Sequence, residues 1–474
     1  MKTQTMIAKI AAVAAVSLGI SAFADTYTDA NGLVWTYTVL DSTANTVLLG
    51  TSTSSDSQCI DKDAVFTADV IPWTFTNNDV DYTVVEVGAG AFKNCKNMTG
   101  TLTIPDSVTN IYRAAFCYCS NITEIAFNSN IKLINGNAFG YGNYGCLNAK
   151  VTNFDLSGLK TLPTGNSGAF SAVSRMTWTE GESGSATERG LHYDTPVLLK
   201  LGPSITTIGE SFAGCKIAMD VLVPTNVMSV AAKAFNNSKI INFFMPGPAT
   251  GTATISQSEQ FNYCSYMELA FLGPNVTAAN STANSSMFKN QSANKIYTDS
   301  GKCKIYAPYS NWSHVTAWDQ ASNALVDPVL YGPGREIDFA IDGDVTTLTA
   351  TPTTEAALVD ILEQAPIFKN HFNIDTKICV TNAISLSATP LVTQELIENA
   401  SVTFDSLTFA VKTQTELDYI LDVVPESVTL VLDPTGATES LTVPLAETAR
   451  KVYMLLPPGA SYERKKTGLI IIVK

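Results

Sequence analysis

One short phenylalanine context recurs along this chain, and it limits the fold more than any other feature. Phe92, Phe116, Phe139, Phe170, Phe212, Phe235, Phe261 and Phe288 follow one another at sequence intervals of 24, 23, 31, 42, 23, 26 and 27. The surroundings recur too. Ala91-Phe92-Lys93-Asn94-Cys95 matches Ala115-Phe116-Cys117-Tyr118-Cys119, and both match Ser211-Phe212-Ala213-Gly214-Cys215 and Gln260-Phe261-Asn262-Tyr263-Cys264, while Ser238 holds the cysteine position after Phe235. A unit of about 23 residues is too short to enclose its own apolar side chains, so neighbouring units must stack and share one continuous core.

Upstream of the phenylalanine lies a V-T-x-I step, as in Val108-Thr109-Asn110-Ile111 and Ile205-Thr206-Thr207-Ile208. Downstream lies a short apolar strand that stops at proline: Leu102-Thr103-Ile104-Pro105, Val221-Leu222-Val223-Pro224 and Phe243-Phe244-Met245-Pro246. Proline lacks a donor and belongs where the chain leaves a strand ladder. The pattern predicts a mainly β solenoid of about eight irregular units of about 23 residues. The intervals of 31 and 42 mark insertions, and the Gly-, Ser- and Glu-rich stretch 177–193 reads as a protruding loop.

The order of apolar strand, I-P, S-V-T-x-I and A-F-x-x-C resembles the BspA-like bacterial leucine-rich repeat family. Leu102-Thr103-Ile104-Pro105-Asp106-Ser107-Val108-Thr109-Asn110-Ile111, followed by Ala115-Phe116 and Cys119, carries the likeness, which extends over about 84–307. The resemblance implies a secreted or cell-surface protein that binds other macromolecules and has no catalytic activity. Within the family, the cysteine position faces the core of the turn as a small buried group.

Positions 1–24 read as an export signal: Lys2 and Lys9, an apolar run over 10–20, and Ala22-Phe23-Ala24 as an A-x-A cleavage site before Asp25. The run falls short of the ~20 residues that span a bilayer, and no later run approaches that length. Removing the segment, which has two lysines and no acid, takes the net charge from −14 to −16. An acidic chain lacks the basic footprint that nucleic acid requires. Charged residues at 15% and hydrophobic residues at 45% also exclude a disordered chain. Leu162-Pro163-Thr164-Gly165 resembles a sortase signal only superficially, because it sits mid-chain with no apolar tail behind it.

Four regions follow: a signal peptide over 1–24, an N-terminal β cap over 25–83, the leucine-rich repeat solenoid over 84–330 and a small C-terminal α+β domain over 331–474. In the cap, Asn31-Gly32 precedes the alternating run Val34-Trp35-Thr36-Tyr37-Thr38-Val39, which predicts a β-hairpin with a type I′ turn. A linker is expected near 326–335 around Gly332-Pro333-Gly334. Beyond it, 354–364 and 415–424 read as short amphipathic helices, each opening with Thr-Glu and ending at Pro366 or Pro425. Alternating segments before them predict two related β-α-β units, with Leu469-Ile470-Ile471-Ile472-Val473 as a final buried strand.

No constellation in the chain supports chemistry. His192, with Ser185 and Asp194, lies in the expected loop without a G-x-S-x-G turn, and His314 sits between Trp312 and Trp318. Cys117-Tyr118-Cys119 has no histidine nearby, so no metal site is expected. Cys95, Cys119, Cys215 and Cys264 share one repeat position and read as a row of buried thiols, with a bridge between Cys95 and Cys119 left open. Asp338, Asp342 and Asp344 lack the spacing of a calcium loop, and Asp342-Gly343 reads as a β-turn. No catalytic, cofactor-binding or metal residue is assigned, and no cofactor is expected.

What remains is surface. With Leu102 and Ile104 inward, Thr101 and Thr103 face solvent, and the same register predicts exposed Asn242 and Phe244. Tyr112, Tyr118, Tyr141 and Tyr144 fall on turns. The expected function is adhesion, or host or glycan recognition, with an extracellular protein or glycan as partner and neither nucleic acid nor an integral membrane segment. The alternative is a self-associating structural protein of the cell-surface matrix.

Overall fold

The repeated phenylalanines stack face to face. In the computed structural model, ring centroids are 4.9 Å apart for Phe92 on Phe116, 5.5 Å for Phe116 on Phe139 and 6.2 Å for Phe139 on Phe170. The series continues at 5.5, 5.4 and 6.1 Å through Phe212, Phe235 and Phe261, with interplanar angles between 5° and 17° throughout. All seven rings are buried. Offset stacking of aromatic faces adds to the burial of large apolar area, so the two long intervals in the sequence leave the stack unbroken. The structure describes residues 24–135, 138–141, 144–145, 153–162, 170, 196–215, 217–256, 261, 264, 267–278, 303–312, 329–444, 452–455, 461–465 and 468–472. The expected export segment up to residue 23, the stretch 177–193, Phe288, Cys146, His192, His314, Trp318 and Pro163-Thr164-Gly165 lie outside these residues. Two bodies divide the chain: residues 1–305 with 314–328, and residues 306–313 with 329–474.

In the first body each coil contributes one strand to a ladder on either side of the phenylalanines. The long-strand ladder comprises Phe66–Thr67, Met98–Thr103 and Ile122–Ala126 in one parallel sheet, and Asn153–Leu156, Val197–Leu201, Ala218–Leu222, Lys239–Met245 and Leu269–Leu272 in another. The V-T-x-I steps form the short ladder: Val80–Val87, Asn110–Ile111 and Leu133–Ile134, then Thr207–Ile208, Ser229–Val230, Ala253–Ile255 and Val276–Ala278. Strands Met98–Thr103 and Ala218–Leu222 end just before Ile104-Pro105 and Val223-Pro224, as expected for a residue without a donor. Backbone bonds join coils at the phenylalanine itself: Phe92 N–H donates to Ala115 O at 2.7 Å and Phe116 N–H to Ala138 O at 2.8 Å. Asparagines add a second tie, with Asn226 donating to Ile205 O at 2.6 Å and Asn275 to Pro248 O at 2.8 Å.

The N-terminal hairpin forms between Ala24–Thr28 and Val34–Asp41, but not through a two-residue type I′ turn. Of Asn31 and Gly32 only Gly32 has positive φ, at 77°. The longer loop is held by Asp29, whose carboxylate accepts from Asn31 N–H at 2.8 Å and Leu33 N–H at 3.0 Å. Val34–Asp41 pairs with Thr46–Leu49, which runs parallel to Val80–Val87.

In the second body, Ile337–Ile341 pairs antiparallel with Thr347–Pro352. The sheet then continues parallel through Asp375–Cys379, Val402–Ala410, Leu430–Asp433 and Val452–Met454. Three helices connect these strands: α1 Glu355–Phe372, α2 Gln394–Asn399 and α3 Gln414–Val423. Both expected β-α-β units are present. From Thr347–Pro352 to Leu430–Asp433, however, a helix precedes each next parallel strand, and each of these crossovers returns the chain to the same end of the sheet. The arrangement is therefore α/β rather than the expected α+β. Three further corrections apply. The first helix runs through Pro366 to Phe372, because buried Phe368 and Phe372 hold the turns beyond the missing donor. The N-cap of α3 is Thr413, earlier than the expected start at 415. Its hydroxyl accepts from Glu416 N–H at 3.2 Å while Glu416 accepts from Thr413 N–H at 3.2 Å. The expected linker contains a strand, Val329–Tyr331, paired with Tyr306-Ala307-Pro308, and Gly332 and Gly334 at φ 132° and 76° turn the chain into Ile337–Ile341. The final apolar strand, Gly468–Ile472, joins Leu441–Pro444 and Ser461–Lys465 in a separate antiparallel sheet.

Candidate ligand-binding cleft

Side chains alternate along the long strands, so each coil turns one row into the core and one row away from it. In Met98–Thr103, Met98 and Leu102 are buried while Thr99, Thr101 and Thr103 are exposed, which agrees with the sequence register. In Lys239–Met245 the outward row is not open. Asn242 and Phe244 are both fully buried, and Phe244 stacks on Phe271 at 4.6 Å. The exposure expected for Asn242 and Phe244 is thus overturned: alternation tells which residues share a face, and only packing tells whether that face is covered. Asp220 and Leu269, on the same outward row, are buried as well, and Asn242 Nδ2 donates to Asp220 Oδ1 at 2.8 Å. The outward face of the ladder is therefore open at Met98–Thr103 and Ile122–Ala126 and closed at Ala218–Leu222, Lys239–Met245 and Leu269–Leu272.

A seam interrupts this ladder beside the open part. Ile122–Ala126 and Asn153–Leu156 are neighbours but belong to separate sheets. The seam falls where the phenylalanine interval first lengthens, from 23 between Phe116 and Phe139 to 31 between Phe139 and Phe170. The phenylalanine stack continues across the seam, with Phe139 on Phe170 at 6.2 Å, while strand pairing does not. Gly158 closes the inner end, where a Cβ would overlap the carbonyl oxygen of Phe127.

A cleft of about 200 Å³ lies at the seam, lined by Thr101, Glu124, Ile125, Ala126, Phe127, Asp155, Ser157 and Gly158. A β-bulge between Gly100 and Thr101 brings Glu124 opposite Thr101 on the open face. Asp155 is compensated: its Oδ1 accepts from Ser157 N–H at 2.8 Å and its Oδ2 lies 4.0 Å from Lys200 Nζ. Glu124 is half-buried, and among the described residues its carboxylate has no hydrogen-bond or ion-pair partner. The floor is apolar, with Ile125 and Phe127 buried. The cleft residues Glu124, Asp155 and Ser157 were not singled out from the sequence. No local signal marks them, because the longer Phe170-to-Phe212 interval keeps its strands Asn153–Leu156 and Val197–Leu201 paired, so interval length alone does not locate the seam.

The other candidates resolve as structure. Among the described residues the cysteines are free thiols, and Cys95 and Cys119 are not bridged. Cys119 Sγ donates to Phe92 O and Cys264 Sγ to Phe235 O, each at 3.1 Å, so the cysteine row helps to join successive coils. Burial pushes the Cys95 thiol up to about 12 and the Cys117 thiol up to about 11, which suppresses their thiolates. Tyr112 is half-buried, and burial followed by the Glu86 charge raises its hydroxyl. Tyr118 is half-buried at φ 64°, and the side chains of Tyr141 and Tyr144 lie outside the description. Asp342 accepts from Thr346 N–H at 2.7 Å and Thr347 N–H at 3.0 Å and fixes the turn between two strands. Asp338 accepts from Phe339 N–H at 2.8 Å, and Asp344 is exposed. Among the described residues no group of three or more His, Cys, Asp or Glu side chains is placed to hold a metal ion. No helix among them is long and apolar enough to cross a membrane.

Comparison with known proteins gives one family. Residues 74–176 and 198–309 match the BspA type leucine rich repeat region, in six copies. No curated protein matches the chain. Among solved structures, a leucine rich cell surface protein of Faecalibacterium prausnitzii A2-165 is similar at 14% identity, over 85% of this chain and 98% of its own, with a TM-score of 0.27. A leucine-rich repeat protein of Bacteroides ovatus is similar at 14% identity, over 78% and 97%, with a TM-score of 0.21. The pneumococcal vaccine antigen PcpA is similar at 11% identity, over 91% and 98%, with a TM-score of 0.25.

Proposed function

We propose that this chain, whose residues 74–176 and 198–309 match the BspA type leucine-rich repeat region, is an exported, non-catalytic solenoid that binds an extracellular protein or glycan. The observation that carries the reading is the open strand face formed by Thr99, Thr101 and Thr103 on Met98–Thr103 and Ala126 on Ile122–Ala126, with a cleft at its edge. Exposed rows on adjacent parallel strands give a rigid, pre-formed surface, and rigidity lowers the entropic cost of association. Lys2, Lys9 and Ala22-Phe23-Ala24 support export of the mature chain.

The test uses the mature chain, 25–474, on an array of glycans and extracellular proteins. Selective binding that Thr101→Arg or Thr103→Arg abolishes supports the reading, because a long cation there covers the open face without touching the core. Binding that survives both substitutions, or concentration-dependent self-assembly without any captured ligand, overturns it. The second outcome favours the structural, self-associating role.

A further inference from the structure

We infer that the cleft at the seam takes a lysine or arginine side chain from an extended segment of a partner protein; the inference rests on the open strand face being a binding surface. The residues at the mouth have the chemistry for it. Glu124 offers a half-buried carboxylate with no partner among the described residues, and the Thr101 and Ser157 hydroxyls beside it likewise make no hydrogen bond there. An uncompensated carboxylate in a partly desolvated recess attracts a cation more strongly than one in open water. Asp155 is engaged by Ser157 and Lys200, so among the described residues the cleft keeps one uncompensated negative charge, which fits one cationic head.

The floor selects the rest of the ligand. Exposed Ala126, with buried Ile125 and Phe127 in the wall beneath it, provides apolar surface for the methylene stem that carries the charge. A volume of about 200 Å³ accommodates one long side chain but not a folded element. The exposed row Thr99, Thr101 and Thr103 leads from the cleft along the strand, a direction that an extended polypeptide follows. An amino sugar is served less well. The cleft lining has no side-chain amide, and its one aromatic ring, Phe127, is buried rather than presented for stacking. The formal charge of −14 draws a basic partner toward the surface in addition.

The experiment uses the mature chain and three fluorescent probes: a Gly-Ser-Lys repeat peptide, the same peptide with acetylated lysines, and a chitosan oligosaccharide. The lysine peptide is expected to bind, the acetylated peptide is not, and Glu124→Gln is expected to weaken the lysine peptide at least tenfold. Glu426→Gln, which removes an exposed charge in the second body, is the control and is expected to leave binding unchanged. Equal losses in both variants would assign the effect to net charge and overturn the proposal. Tighter binding of chitosan than of the lysine peptide would overturn it in favour of an amino sugar. Ligands from the array that depend on Thr101 but not on Glu124 would overturn the cleft assignment while leaving the binding surface standing. Unchanged amide exchange across Ile122–Ala126 shows that Glu124→Gln leaves the local fold intact, and a changed pattern moves the test to Glu124→Asp, expected to keep the acetylation discrimination.

Discussion

Phe92 and Phe116, at the same position of successive coils, lie with ring centroids 4.9 Å apart and planes inclined by only 7°. Phe116 is covered on its other face by Phe139 at 5.5 Å. Phe116→Ala removes a fully buried ring that two coils share. It is expected to cost about 3–5 kcal/mol, read as a lowered urea midpoint, because the flanking coils are tied through Phe116 N–H and cannot collapse into the cavity. A loss under about 1 kcal/mol would mean that the stack is not the core of the array.

The thiols are expected to be reduced and silent. Cys95, Cys117 and Cys119 are fully buried, and burial holds the Cys95 thiol at about 12. Iodoacetamide at pH 8 should leave all three unmodified in the native protein and label them after denaturation, as read by peptide mass spectrometry. Migration should be the same with and without reductant, and a bridged peptide joining Cys95 to Cys119 would contradict the arrangement.

Glu355 gives a pH dependence whose sign can be worked out. It is almost fully buried at the start of α1, and its carboxylate accepts from Ser387 N–H at 2.6 Å, Leu391 N–H at 2.7 Å and Val392 N–H at 3.2 Å. Desolvation raises its pKa, but these hydrogen bonds outweigh it and hold the group below the ordinary carboxylate value. A group depressed in the folded state contributes stability above its unfolded value of about 4.3, and the contribution is lost as pH falls through the folded value. Glu355→Gln should therefore speed amide exchange at Leu391 and Val392 at pH 7, by about 2 kcal/mol of local protection, for hydrogen bonds to a charged group. The difference from the native chain should shrink below about pH 4.

Thr413→Ala tests the capping box of α3. Loss of the hydroxyl leaves Glu416 N–H without its acceptor and should cost about 1 kcal/mol, read as faster exchange at that amide. Thr413→Ser should restore most of the protection.

Gly158→Ala tests the seam. The added methyl would overlap Phe127 O, so the chain must shift where the two sheets meet. The expected result is a cost of about 1–3 kcal/mol, as for other overpacking changes, with altered exchange at Phe127 and Asn128 and the phenylalanine stack preserved.

The sequence carried the array well beyond its composition. Phe92, Phe116, Phe212, Phe235 and Phe261, the prolines that end strands and the shared cysteine position are all local signals repeated in register, and each reappears in the structure in the role its spacing implied. In the second body, the strand-helix-strand pattern was equally legible around α1 and α3, because helix caps and apolar periodicity are encoded within a short stretch of chain. What the chain did not disclose locally was the continuation of α1 past Pro366, which depends on Phe368 and Phe372 finding a core, and the strand Val329–Tyr331, which depends on a partner well upstream at Tyr306-Ala307-Pro308.

The cleft divides the same way. By itself the sequence determined that coils stack on a phenylalanine spine and that Thr101 and Thr103 face away from it, because stacking short units is the one way to bury their apolar residues and alternation follows from the pleat. Only the tertiary structure decided that Phe244 and Asn242, on the equivalent row, are buried, and that Glu124 and Asp155, from different coils, line one recess. The reason is physical. Periodicity specifies the direction of a side chain from its own backbone, whereas burial and juxtaposition depend on which distant segments pack against that face.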